Sequence, residues 1–127
     1  MIRTIGGAVL ATALAGTALG SAPAAAQGSF SDNAIRIGIL NDQSGLYAEY
    51  GGQGSVEAAR MAVEDMGGKI GSVPIEILTA DHQNKPDIAS AIARQWYDRD
   101  GVDAIMELTT SSVALAISQV TKEKNKV

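Results

Sequence analysis

The sequence predicts an α/β fold, a doubly wound parallel sheet assembled from three strand–helix units. Two observations carry this reading. Short, β-branched apolar runs alternate with stretches whose apolar residues recur every three or four positions. Glycine or proline stands at most of the boundaries between the two kinds of stretch. Strands alternating with helices imply parallel pairing, and right-handed crossovers then place helices on both faces of the sheet.

The first 26 residues stand outside that domain. Arg3 is the only charged residue before Asp32, an apolar stretch runs from about Ile5 to Leu19, and Pro23 precedes Ala24-Ala25-Ala26. This is the order of a secretory signal peptide, with cleavage expected after Ala26. A membrane-spanning helix needs about 20 apolar residues, more than this stretch supplies. The chain has no Cys, which excludes a lipid anchor on cysteine and any disulfide framework. The protein is therefore expected in the periplasm, held together by its core alone. Removing residues 1–26 leaves 9 basic against 14 acidic residues, a net charge of −5 with His82 neutral. That balance argues against nucleic acid as a partner.

Residues 27–33 are polar and read as a flexible lead-in; residues 34–127 read as the domain. The first strand is Ile35 to Leu40, followed by a glycine-rich loop over 41–54 and a helix from about Ser55 to Met66. Val56, Ala59, Val63 and Met66 define that helix's apolar face. Gly67 and Gly68 stop it, since both accept a left-handed cap. Pro74 leads into the second strand, Ile75 to Thr79. Pro86 starts the second helix, with Ala89, Ile92, Ala93 and Trp96 facing inward and Gly101 closing it. The third strand is Asp103 to Leu108. The third helix starts in the cluster Thr109-Thr110-Ser111-Ser112 and turns Val113, Ile117 and Val120 inward.

The expected sheet order puts the first strand between the second and third. Ligands of such sheets bind at the carboxyl ends of the strands, where connections leave to opposite faces. Here the crevice lies between strands 1 and 3, walled by loops 41–54 and 109–112. The first N–H groups of a helix lack internal partners and carry the positive end of its dipole. Four hydroxyls there suit a carboxylate or another small anion; ordinary N-capping is the alternative. The first loop offers Ser44 and two tyrosines, Tyr47 and Tyr50, as an apolar wall with a hydroxyl or as surface packing. Its length exceeds the usual two to six residues of a βα connection. The glycines form no dinucleotide fingerprint, and no Walker sequence is present. His82, the only histidine, stands beside Asp81 and reads as a solvated loop pair. No G-x-S-x-G is present. Catalysis, a metal and a cofactor are not expected.

An ordered set of segments resembles the type I periplasmic-binding-protein family, in the branch of leucine/isoleucine/valine-binding proteins that serve ABC importers. The set is Ile35–Leu40 followed by Ser44-Gly45, then Tyr50-Gly51 leading to Gly54 and Ala58-Ala59, then Val73–Ile77, then Asp81 with Pro86 and Asp87, and finally Thr110 to Ala116. It spans essentially all of the chain after residue 33. The resemblance implies a clamshell of two α/β lobes. Carried over residue by residue, it makes Thr110 and Ser111 polar ligand contacts, with Thr109 adjacent and Tyr50 as the aromatic of the first loop. It implies a small carboxylate or amino acid as ligand, branched-chain or aromatic, and an ABC permease as partner. A receptor's sensory domain shares this fold, and a non-functional remnant is the third reading. Family members continue into a second lobe, so the chain is expected to be a truncated first lobe. Contacts from one lobe leave a polar ligand in water, so weak or no binding is expected of this chain alone.

Overall fold

The computed structural model describes residues 31–127. The signal-peptide segment, residues 1–26, lies outside the described residues. A short 3-10 turn, Ser31–Asn33, leads into strand β1, Ile35–Asn41. Helix α1 spans Ala48–Asp65, strands β2 and β3 span Lys69–Ile70 and Val73–Asp81, and helix α2 spans Pro86–Asp98. Strand β4, Ala104–Met106, and helix α3, Ser111–Lys124, complete the order. The sheet runs β2-β3-β1-β4. β1 pairs in parallel with β3, from Ile35↔Ile75 to Asn41↔Asp81, and with β4 over Ile37↔Ala104 to Ile39↔Met106. The expected central position of β1 and the three strand–helix units are present.

Three local expectations are corrected. First, α1 begins at Ala48 rather than Ser55, so the connection after β1 has ordinary length. Glycine disfavours a helix by about 1 kcal/mol per residue, which hid this first turn. Buried side chains from the end of β1 compensate. Asp42 accepts the backbone N–H groups of Gly45 (2.7 Å) and Tyr47 (2.9 Å). Asn41 donates to the carbonyls of Gly51 and Gly52 (2.8 Å to the latter), beside a kink at Gly52 where ψ is −119°. Second, β4 ends at Met106 because Glu107 (φ 63°) and Thr109 (φ 56°) leave the extended region. Third, a hairpin adds β2 antiparallel to β3, with Ile70 opposite Val73 and Gly71 in the left-handed region at φ 62°. A two-residue strand is too short to show periodicity.

The two faces of the sheet are packed unequally. On one face Leu40 joins Ala89, Ala93, Trp96 and Tyr97 of α2 and Val113, Ile117 and Val120 of α3, all buried. Gly38 belongs to this packing: a Cβ there would sit 2.4 Å from the Trp96 ring. The phenol of Tyr97 donates to the Val127 carbonyl (2.8 Å), and burial pushes its pKa up to about 12. Ion pairs Arg94–Glu123 and Lys124–Asp98, both 2.7 Å, join α2 to α3 at the surface.

On the other face α1 stands off the sheet. Of its expected apolar stripe, Val56 is buried, Ala59 and Val63 are half-buried, and Met66 is 61% exposed. A groove of about 440 Å³ separates α1 from Ile35, Ile37, Ile75 and Ile77. The alternation of side chains along a strand thus sends the odd-numbered isoleucines of β1 to the open face. Gly38 and Leu40 go to the closed one. At the outer edge of β4 the Ile105 N–H donates to the Val127 carbonyl (2.9 Å).

Candidate functional site

The carboxyl ends of β1 and β4 meet the starts of α1 and α3 in one crevice. Gly51, in the first turn of α1, approaches the loop after β4 so closely that a Cβ on it would lie 3.4 Å from Thr109 Oγ1. The structure therefore brings the Tyr50 segment and the Thr109–Ser111 loop together, as the strand order required. Tyr50 is 86% exposed, and its ring lies 6.4 Å from that of Tyr47, tilted by 53°. Thr109 and Ser111 are also exposed.

Thr110 occupies the N-cap position of α3 with φ −122° and ψ 144°. Its side chain makes no capping bond, and its Oγ1 is buried without a hydrogen-bond partner. A hydroxyl at a helix start ordinarily accepts one of the first free N–H groups; here it is withheld from that use. A buried hydroxyl left unpaired costs about 1–3 kcal/mol. Such a group beside the positive end of α3 is an arrangement that an anion with hydrogen-bonding capacity would complete.

The loop that carries Thr110 is tightly turned. Glu107 and Thr109 have positive φ, the Thr110 N–H donates to the Leu108 carbonyl (2.6 Å), and Thr109 Oγ1 donates to the Glu107 carbonyl (3.3 Å). Non-glycine residues in the left-handed region cost about 1–3 kcal/mol each and persist only where their surroundings hold them. Here Ser55 of α1 donates from Oγ to Glu107 Oε2 (2.8 Å). His82 reaches Leu108 from the β3–α2 turn: its Nε2 lies 3.2 Å from the Leu108 carbonyl oxygen.

Ser44 is placed differently. Its exposed hydroxyl donates to Asp81 Oδ2 (2.5 Å) at the end of β3, which lies across β1 from β4. Asp81 also accepts the N–H groups of Gln43 (2.9 Å) and Gln83 (2.8 Å). Burial pushes the Asp81 carboxyl up, but the bonds from Ser44, Gln43 and Gln83 outweigh it and hold the pKa below the ordinary value. The solvated Asp81–His82 pair is corrected too. His82 is fully buried, because the β3–α2 turn folds its ring inward against the loop after β4. Asn41, Asp42 and His82 are the buried polar residues among those described. None announced itself by periodicity, although an Asn-Asp pair closing an apolar strand is a turn-forming signal. Among the described residues no group of three or more His, Cys, Asp or Glu is placed to hold a metal. No helix there is long and apolar enough to cross a membrane.

A doubly wound sheet with a crevice at the carboxyl ends of its central strands is an architecture of ligand-binding α/β domains. A model of the periplasmic binding protein family matches residues 34–127, and the chain belongs to that family. It is similar to the crystal structure of a periplasmic binding protein from Burkholderia mallei, at 52% identity and a TM-score of 0.72, over 75% of this chain and 25% of that one. It is also similar to a branched-chain amino acid ABC transporter periplasmic ligand-binding protein from Burkholderia xenovorans, at 47% identity and a TM-score of 0.70, over 73% of this chain and 25% of that one. A solute-binding protein of an ABC transporter from Rhodopseudomonas palustris, solved with benzoate, shares 25% identity at a TM-score of 0.66, over 73% of this chain and 26% of that one. The chain thus spans about a quarter of the length of these structures. No curated protein matches it.

Proposed function

We propose that the chain supplies one wall of the ligand site of an ABC importer's solute-binding component, acting in the periplasm and without enzymatic activity. Its ligand is a small carboxylate, either an amino acid (branched-chain or aromatic) or an aromatic acid. The observation that carries this reading is the unpartnered, buried Thr110 Oγ1 at the start of α3. In this reading a rotation of the Thr110 side chain brings its buried Oγ1 out to donate to the ligand carboxylate, the free N–H groups of Ser111 and its successors point at it, and Thr109 closes one side. Tyr50 contributes a flat apolar wall. Ser44 acts one step back, holding the β1–α1 loop to Asp81. Two relatives carry names or ligands of the same chemistry, a branched-chain amino acid transporter component and a benzoate complex.

One wall gives weak binding. A carboxylate that keeps half its hydration shell gains little from these donors, because water screens the interaction. The test is a titration of the isotopically labelled chain with benzoate and, separately, leucine, followed by amide NMR. The expected result is a dissociation constant in the millimolar range, with shifts concentrated at Thr109 to Val113 and at Gly51. Shifts confined to other surfaces, or none at Thr110 and Ser111 at saturating ligand, reject the site. Micromolar binding by the chain alone rejects the one-wall argument.

A further inference from the structure

The single histidine is unused by the proposed binding chemistry, yet it is wholly buried and both ring nitrogens are engaged. Its main chain anchors it to β1, since the His82 N–H donates to the Asn41 carbonyl (3.0 Å). The turn that follows is unusual: Gln83 and Asn84 have φ of 53° and 55°. This turn folds the Asn84 N–H back onto the ring, where it donates to Nδ1 (2.9 Å). A backbone N–H can only donate, so Nδ1 must be the bare, accepting nitrogen. The neutral ring then carries its hydrogen on Nε2, the atom 3.2 Å from the Leu108 carbonyl oxygen. Leu108 O thereby accepts two bonds, one from His82 Nε2–H and one from the Thr110 N–H (2.6 Å).

We propose that His82 is a positioning residue for the ligand-binding loop: as the Nε2–H tautomer it holds the Leu108 carbonyl, and through it the tight turn that sets Thr110 at the start of α3. The inference rests on the binding reading above for its functional consequence, but not for the tether itself. The chemistry fits the place. The 107–110 turn contains two left-handed non-glycine residues, which require an outside hold. A rigid ring spanning from the β3–α2 turn to the β4–α3 loop links the two strands that flank β1. It fixes the loop at its middle residue, while Ser55 fixes it at Glu107.

Two conservative variants separate the ring's two bonds. In His82→Gln the side-chain amide retains a donor at the reach of Nε2 and gives up the acceptor for Asn84. In His82→Asn the amide oxygen retains that acceptor and gives up the reach to Leu108. The primary readouts on the full chain are amide shifts at Thr110 to Ser112 and hydrogen-exchange protection at Thr110, whose N–H is bonded to the Leu108 carbonyl. The tether predicts that His82→Gln keeps both near wild type. His82→Asn should lose at least about 2- to 10-fold of the protection, the range set by one net hydrogen bond. Equal behaviour of the two variants in this loop overturns the proposal, since a merely structural histidine would affect both through overall stability. A mutation-free readout stands beside them. Ring ¹⁵N shifts of the lone histidine should show a pyridine-type Nδ1 and a pyrrole-type Nε2; the reverse tautomer overturns it. The benzoate titration adds the functional arm. If wild type responds at Thr110, the apparent affinity should follow the loop, kept in His82→Gln and lost in His82→Asn. If wild type shows no response, the binding reading fails while the exchange data still decide the tether.

Discussion

Replacing Thr110 by Val separates the ligand reading from ordinary helix capping by the sign of its effect. Val keeps the β-branched shape and suits the extended backbone at φ −122°, ψ 144°. It exchanges only the hydroxyl for a methyl group. Were the hydroxyl a working cap, the change would lower stability by about 0.5–2 kcal/mol. The structure gives it no capping bond and no other partner. Removing a buried unpaired hydroxyl instead relieves a desolvation cost of about 1–3 kcal/mol. The expectation is therefore a gain of about 1 kcal/mol, which for a domain of this size raises Tm by roughly 4–8 °C. Thermal unfolding followed by circular dichroism measures this, and the benzoate titration on the same sample should lose its response at Ser111. A more stable protein that binds less well is the mark of a polar group kept for a ligand. A fall in Tm of a few degrees would show that Thr110 caps α3 after all, and would remove the main support for the site.

The remaining predictions concern the frame of the crevice. Gly38→Ala puts a Cβ 2.4 Å from the Trp96 ring, and overpacking of this kind costs about 1–3 kcal/mol; an unchanged or higher Tm would mean that the ring moves freely. Asn41→Ala strips the buried donors from the Gly51 and Gly52 carbonyls. It should cost about 1–3 kcal/mol and speed amide exchange in the first turn of α1, whereas loss of stability without local exchange would point elsewhere. Asp81 has a folded pKa below its ordinary 3.8, so its contribution is complete above that value and disappears as pH falls through the folded one. Tm measured between about pH 2 and pH 5 should decline over that window. Ser44→Ala should flatten the decline, because it removes one of the bonds that lower the pKa; identical curves would contradict this.

The relation between sequence and structure differs from element to element. Strands β1 and β3, the helix at Pro86 and the inner face Val113, Ile117 and Val120 were all readable, because a side chain's repeat along a strand or helix is a local property. The strand order followed from connectivity and handedness, and it brought the first turn of α1, at Gly51, beside Thr109. The first turn of α1 was not readable. Its glycines speak against a helix, and what holds it are Asn41 and Asp42 from another element. The stripe Val56, Ala59, Val63, Met66 is periodic, yet only Val56 is buried. Periodicity reports which face is apolar and says nothing of how closely the sheet approaches it.

By itself, the sequence determined the α/β class, the central place of β1, the balance of charge and the four-hydroxyl start of the last helix. Each of these depends on neighbours along the chain or on the handedness of its connections. The tertiary structure alone decided which hydroxyl is buried and unpartnered, that Ser44 turns to Asp81, and that His82 is buried against Leu108. Those outcomes depend on which polar atoms find partners after distant segments meet. Thr110, Ser111 and Ser112 are interchangeable as a run of letters. Only in the folded loop, where Glu107 and Thr109 take left-handed φ, is the oxygen of Thr110 seen to be buried and unpaired.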